Sequence, residues 1–292
     1  MISLVGILVV FASVIGGFLM EKGKLPVLLQ PSEFVTIAGA ALGTIVVANP
    51  TRVLKGICTG LLEVVNGSGV TERFYIESLK MLFELFTKAR KEGMIAIEGD
   101  IEEPEKSPIF SKYPNFLKDH HGTAFLCDTM RMAVTGGVKP FDLDQMMELD
   151  LEVHHHSSLA PTQALTSMAD ALPGLGIVAA VLGIVVTMGA LGGPPAEIGE
   201  KVAAALVGTF LGILLCYGVV GPLAANMTKA VEERHAYYGV LRTTLLAFIK
   251  GTAPIMAVEI GRRAIPEYVR PQFAALENAC RDREPVPVEA AA

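Results

Sequence analysis

The sequence predicts an all-α membrane protein: four transmembrane helices, a helical cytoplasmic domain between helices 2 and 3, and a helical cytoplasmic tail. Three observations predict it. First, Ala171–Gly193 and Val202–Thr228 contain no Asp, Glu, Lys, Arg or His. Each is long enough to cross a hydrocarbon core of about 30 Å as a helix. Second, two more apolar runs, Ile2–Met20 and Phe34–Asn49, lie at the front. Third, 51% of the 292 residues are apolar and only 18% charged, mean hydropathy is +0.48, and the charges cluster outside the four runs.

The first run has the apolar core of a signal peptide. No basic segment precedes it, the core is too long, and no small-x-small site follows, so it is expected to stay as a membrane helix. The second run is shorter, and Pro50 and Thr51 extend it to the interface. Orientation follows from Lys and Arg beside the helix ends. Arg52 and Lys55 follow the second helix, and Lys229 and Arg234 follow the fourth. The two other connections, Glu21–Glu33 and Gly193–Lys201, are short and less basic. The expected organisation is a hairpin at 1–51, a cytoplasmic helical domain at 52–169, a second hairpin at 170–228 and a cytoplasmic tail at 229–292. Both termini are then inside, and 285–292 is expected to be disordered.

Within the central domain, Phe74, Ile76, Leu79, Leu82, Phe83, Phe86 and Ala89 place one broad apolar face on a helix over 70–92. Lys80, Glu84 and Lys88 form an i, i+4 ladder on the other face, and Gly93 ends the helix. Pro104, Pro108 and Pro114 predict loops and short turns over 99–122. A second helix is expected over 123–135, stopped by Gly136 and Gly137. A third starts near Asp142, where Gln145 nearly completes a capping box, and runs to about His156. The tail reads as helix over 228–250, then shorter pieces after Pro254. Cys127, placed in the cytoplasmic segment, is the expected reporter of orientation in thiol labelling.

Composition excludes several function classes. The net charge of −6 and the lack of a dense basic patch argue against nucleic-acid binding. Cys58, Cys127, Cys216 and Cys280 are far apart, with no CxxC, so neither a zinc ribbon nor a disulfide framework is expected. No nucleophile–base or metal constellation points to an enzyme.

Several residues invite a functional reading beside a bland one. His154, His155 and His156 point about 100° apart on a helix, a poor arrangement for one metal ion, and read as a solvated face. His120 and His121 read the same way. Gly39/Gly43 and Gly208/Gly212 are GxxxG pairs that allow close helix contact, hence a partner helix or self-association. Pro173 follows Asp170, a possible N-cap, and marks either a helix start or an interior kink. Pro222 lies inside an apolar run and reads as a kink. Thr209 is a lone membrane hydroxyl that bonds its own helix or lines a path. Arg90 and Glu98 are ordinary solvated charges or binding residues. Because the last two spans carry no charge, anything charged that moves along them needs a charge from another protein.

Longer blocks carry a resemblance. Leu172–Gly183 reads LPGLGIVAAVLG and Val207–Leu215 reads VGTFLGILL. Gln30-Pro31-Ser32-Glu33, Gly93-Met94 with Glu98–Glu102, Ile109–Pro114 and Ala257–Arg262 accompany them in order along nearly the whole chain. These blocks strongly resemble the MotA family of flagellar motor stator proteins, in the MotA/TolQ/ExbB proton channel superfamily. The resemblance implies a multi-pass protein of the bacterial inner membrane, five copies of which surround two copies of MotB. MotB brings the membrane aspartate, and ion flow turns the rotor. It also implies pathway residues Thr209, Tyr217 and Ala180, coupling prolines Pro173 and Pro222, and a rotor contact to FliG through Arg90 and Glu98. Sodium-driven relatives have a threonine where Ala180 stands, so protons are the expected coupling ion and no cofactor is expected. Thr187, on a neighbouring face, keeps sodium open. A channel of the ExbB/TolQ type is disfavoured, since those proteins have three membrane helices with the large domain after the first. A non-conducting scaffold is the remaining rival.

Overall fold

The structure is a computed structural model that describes residues 2–67, 69–189, 192 and 194–281. All regular structure among the described residues is helical. The main helices are α1 (Ile2–Met20), α2 (Pro31–Ala48), α3 (Thr51–Asn66), α4 (Glu72–Glu92), α5 (His120–Thr135), α6 (Pro140–Met188), α7 (Pro195–Leu215), α8 (Gly221–Ile249), α9 (Pro254–Ala264) and α10 (Phe273–Cys280). Four stretches are long and apolar enough to cross a membrane: α1, Leu25–Ala48, α6, and Pro195–Ile249. The stretch expected to be disordered, 285–292, lies outside the described residues.

Local chemistry explains most boundaries. Gln30 is extended, and Pro31 opens α2 where its missing N–H costs nothing. Thr71 caps α4 by accepting from the Phe74 amide at 3.3 Å. Gly93 ends α4 at φ 95°, a conformation that favours glycine, and its N–H reaches the Ala89 carbonyl at 3.0 Å. Asp119 caps α5 through the Gly122 amide at 3.1 Å, so this helix begins three residues before the expected Thr123. Gly136 closes it at φ 76°.

The expected helix ends between Asp142 and Pro173 need correction. The third helix does not stop near His156: α6 runs on to Met188, with Pro161 and Pro173 both inside it. It also starts at Pro140 rather than near Asp142. Asp170 is therefore no N-cap, and Pro173 is an interior residue. A proline removes one backbone bond, whereas ending the helix there would orphan four carbonyls and four amides. In an apolar span those groups would find no water. At Pro222 the irregularity takes a defined form. Cys216–Val220 winds as a π-helix between α7 and α8. Pro222 has no N–H for the Gly218 carbonyl, and a widened turn just before it accommodates the loss.

The described chain forms two compact units. The first comprises Met1–Ser68 and His156–Val231. Its core has two patches: Ile45, Val53, Ile57, Leu165 and Met227 in one, and Ile37, Ala41, Leu172, Ala179 and Cys216 in the other. No residue of α1 is buried.

The second unit comprises Gly69–His155 and Glu232–Ala292. It has a conventional apolar core in which α4, α8 and α9 contribute Leu79, Leu82, Phe86, Leu241, Leu245 and Val258. Phe86 and Phe248 stack at 4.1 Å. Burying each such side chain stabilises by about 1.5–3 kcal/mol. Two residues of the α4 charge ladder also reach beyond the helix. Glu84 accepts from Lys112 Nζ at 2.7 Å and from the Tyr113 hydroxyl at 2.6 Å. Lys88 donates to Asp100 at 2.7 Å. Glu84 and Lys88 thus dock the proline-rich segment.

Candidate ion path and charged surface

The first unit brings α6 and α7 into backbone contact. A methyl group on Gly176 would stand 2.8 Å from the Gly208 carbonyl oxygen, and one on Gly212 would stand 2.6 Å from the Leu172 carbonyl oxygen. A methyl group on Gly208 would stand 3.2 Å from the Ala180 amide nitrogen. At Gly176 and Gly212 only glycine allows this approach. The GxxxG reading therefore holds within the chain for Gly208/Gly212. It does not for Gly39/Gly43, which are exposed and have nothing within 4 Å of an added methyl. They leave a smooth outer strip on α2.

The candidate path residues fall around this contact in different ways. Ala180 is buried, and Thr209 is half-buried beside Gly208. The Thr209 Cα would lie 3.3 Å from a methyl on Gly176. Tyr217 stands apart in the π-helix, 73% exposed. Pro173 is half-buried in α6, and Pro222 is exposed in the first turn of α8. Thr187 is buried, and its hydroxyl donates to the Gly183 carbonyl at 2.8 Å.

One residue at this contact has no counterpart among the expected sites. Glu33, in the first turn of α2, is 7% exposed. Its Oε2 is buried without a hydrogen-bond partner. A methyl group on Gly208 would stand 2.6 Å from that oxygen, and one on Gly183 would stand 3.6 Å from Oε1. An intramembrane carboxyl of this kind is a functional signal. Its sequence position concealed it, since an acidic residue in a first turn ordinarily just complements the helix dipole.

In the second unit, Arg90 lies in the last turn of α4 and Glu98 opens a short helix, Glu98–Glu102. Both are exposed. The short helix that Glu98 opens is anchored by Asp100. Asp100 is buried, accepting from Lys88 at 2.7 Å and from the Ser107 hydroxyl at 2.6 Å.

His120 and His156 are exposed, as expected, but His121, His154 and His155 are packed rather than solvated. His121 and His154 stack at 3.5 Å with planes 8° apart, and the Tyr238 ring meets both edge-on. His155 lies 4.1 Å from His235. Only His156 of the triplet is exposed. Burial, followed by the neighbouring His121, brings His154 down to about 4. Burial also lowers His121, against Asp150 and Asp119, and lowers His235, where His155 adds to it. No cluster suited to a metal ion occurs among the described residues. Cys127 is buried too, and burial pushes its thiol up to about 12. It is unsuited to thiol labelling. Cys58 on α3 is exposed.

Comparison with known proteins is consistent along the chain. Residues 4–93 match the motility protein A N-terminal family, and residues 118–238 match the MotA/TolQ/ExbB proton channel family. The chain is 39% identical over 281 residues to motility protein A of Escherichia coli (strain K12), covering 96% of this chain and 95% of that one. It is 36% identical to chemotaxis protein LafT of Vibrio parahaemolyticus serotype O3:K6, covering 96% and 98%. In fold it is similar to the solved C. jejuni MotAB structure, with a TM-score of 0.74, 19% identity, and coverage of 91% and 95%. It is likewise similar to the flagellar MotAB stator complex from Bacillus subtilis, with a TM-score of 0.70, 24% identity, and coverage of 91% and 95%.

Proposed function

The chain belongs to the motility protein A family, within the MotA/TolQ/ExbB proton channel family, and from that premise we propose how it works as a stator subunit of the flagellar motor. Membership makes it a multi-pass protein of the inner membrane that takes part in ion-driven rotation. This is a family of stator and ion-channel subunits, not of enzymes.

The observation that carries the mechanism is the α6–α7 contact. Its walls are glycine and alanine, and apart from Glu33 at its edge they bear no Asp, Glu, Lys, Arg or His. A path along such walls needs an acidic group from elsewhere. In our reading MotB supplies it, and five copies of this chain surround two of MotB. The exposed Gly39/Gly43 strip and the unburied α1 support contacts with further chains or lipid. The coupling ion is the proton. Ala180 offers no side-chain oxygen, and Thr187 is turned onto its own helix. Sodium would need several oxygen ligands. Thr209 and Tyr217 hold water or relay along the path. Pro173 and Pro222, where backbone bonds are missing, let ion passage move the second unit. One charge crossing 100 mV yields about 2.3 kcal/mol for that work.

We place both termini and residues 52–170 in the cytoplasm. Arg52, Lys55, Lys229 and Arg234 support that orientation. Arg90 and Glu98, both exposed, then engage FliG through charge complementarity. The test is deletion of the gene, with soft-agar swimming and filament counts by microscopy. Paralysed cells with normal filaments are expected. Cells without filaments would contradict a stator role.

A further inference from the structure

Glu33 offers more than a charge at a helix start. It is nine-tenths buried, and Oε2 is covered by the chain itself with no hydrogen-bond partner. The surfaces it meets are Gly208, with Ala179 and Ala180 beside it, and Gly183, with Ala205 beside it. None of these side chains can donate a hydrogen bond or balance a charge. An ionised, unpartnered carboxylate is costly in apolar surroundings, and such residues in membrane spans mark proton and ion relays. The position is also specific. Gly208 adjoins Thr209 in sequence, and its added methyl would approach the Ala180 backbone at 3.2 Å. The Glu33 carboxyl therefore touches the same wall as the two proposed path residues.

We propose that Glu33 is a second proton-carrying carboxyl of the stator, acting in series with the acidic group that the partner brings. This rests on the reading that protons pass along α6 and α7. In the step, a hydronium on one side loses a proton to the Glu33 carboxyl. One O–H bond breaks in hydronium and one forms on the carboxyl. That bond then breaks as the proton passes to the next water along the wall. The carboxylate is regenerated, one proton has advanced, and nothing is oxidised or reduced. Gly208 makes the place for the carboxyl, since a methyl group there would stand 2.6 Å from Oε2, whereas one on Gly183 would meet Oε1 at an ordinary 3.6 Å.

The experiment uses full-length chain co-expressed with its MotB in a strain lacking its own copy. Bead rotation on filament stubs is recorded in sodium-free medium against external pH, and co-purification with MotB reports assembly. Glu33→Gln keeps the shape and loses the exchangeable carboxyl. It is expected to assemble normally and to lower rotation speed by about a hundredfold, the low end of what a positioned acid–base group contributes. Glu33→Asp keeps a carboxyl and is expected to recover part of the speed with a displaced pH profile. Wild-type rotation in Glu33→Gln would overturn the proposal. Loss of assembly in Glu33→Gln would also overturn it, by showing a packing role. A wild-type complex that turns only with sodium would instead overturn the proton reading on which the proposal rests.

Discussion

Gly212 and Leu172 face each other so closely that a methyl group on Gly212 would stand 2.6 Å from the Leu172 carbonyl oxygen and 2.9 Å from the Gly176 Cα. Both obstacles are backbone, so neither can swing aside. Gly212→Val is expected to push α6 and α7 apart, at a cost of about 1–3 kcal/mol for overpacking, and to lower the amount of folded protein in membranes. A methyl group on Gly199 meets nothing within 4 Å, so Gly199→Ala should leave the level unchanged. Equal levels for the two variants, by quantitative immunoblot, would refute the close contact.

Asp100 lies two residues after Glu98 in the same short helix, with its side chain 3% exposed and Lys88 as its charged partner. Removing that partner leaves a buried carboxylate uncompensated, which costs about 3 kcal/mol. Lys88→Met should therefore lower the thermal midpoint of the purified complex. Arg90→Glu changes an exposed charge and should leave the midpoint nearly unchanged, within about 0.5 kcal/mol. It should still impair swimming, and a compensating charge reversal on FliG should restore part of it. Normal swimming in Arg90→Glu, or failure of every rotor reversal, would remove Arg90 from the rotor contact.

The histidine pairs make the second unit sensitive to acid. His154 lies near 4 in the folded protein against an ordinary value of 6.5. Between those values the unfolded chain binds more protons, so stability is full above about 6.5 and is lost as pH falls toward 4. His121 and His235 shift in the same direction. Asp119, Asp150 and Glu152 oppose the loss, while Arg234 adds to it at His154. The thermal midpoint should drop from pH 7 to pH 5, and His154→Leu should flatten that drop. A fall of equal size in both proteins would show that the pairs do not titrate in this range.

Thr209→Val preserves shape and removes a hydroxyl from the α6–α7 wall. Motility is expected to fall while the complex still assembles with MotB. Full-speed swimming at normal protein level would take Thr209 out of the path.

Orientation is read best at Cys58, because Cys127 is buried. A membrane-impermeant maleimide should leave Cys58 unlabelled in intact cells and label it after permeabilisation. Labelling in intact cells would reverse the topology.

The sequence displayed the spans and α4 plainly, because charge-free runs and the Phe74, Leu79, Leu82, Phe86 spacing are local signals. Gly93 was legible for the same reason. The continuity of α6 was not. Pro161, Pro173 and the polar stretch around His154 all look like helix ends until tertiary packing and the lack of water make an end more costly than a missing bond. The histidine pairing was hidden because His121 and His235 are far from the triplet in sequence. Glu33 was hidden because its burial depends on Gly183 and Gly208, which no spacing around residue 33 reveals. The path residues came from resemblance to a family, while lone hydroxyls and alanines have little local signature.

The central claim is that this chain converts proton flow into rotation. Its most direct test is rotation of tethered cells, complemented with this gene in a deletion strain, in sodium-free buffer as a protonophore is titrated in. The account predicts steady rotation without sodium that slows and stops as the proton gradient collapses. Rotation that requires external sodium, or that persists after the proton gradient is gone, would contradict it.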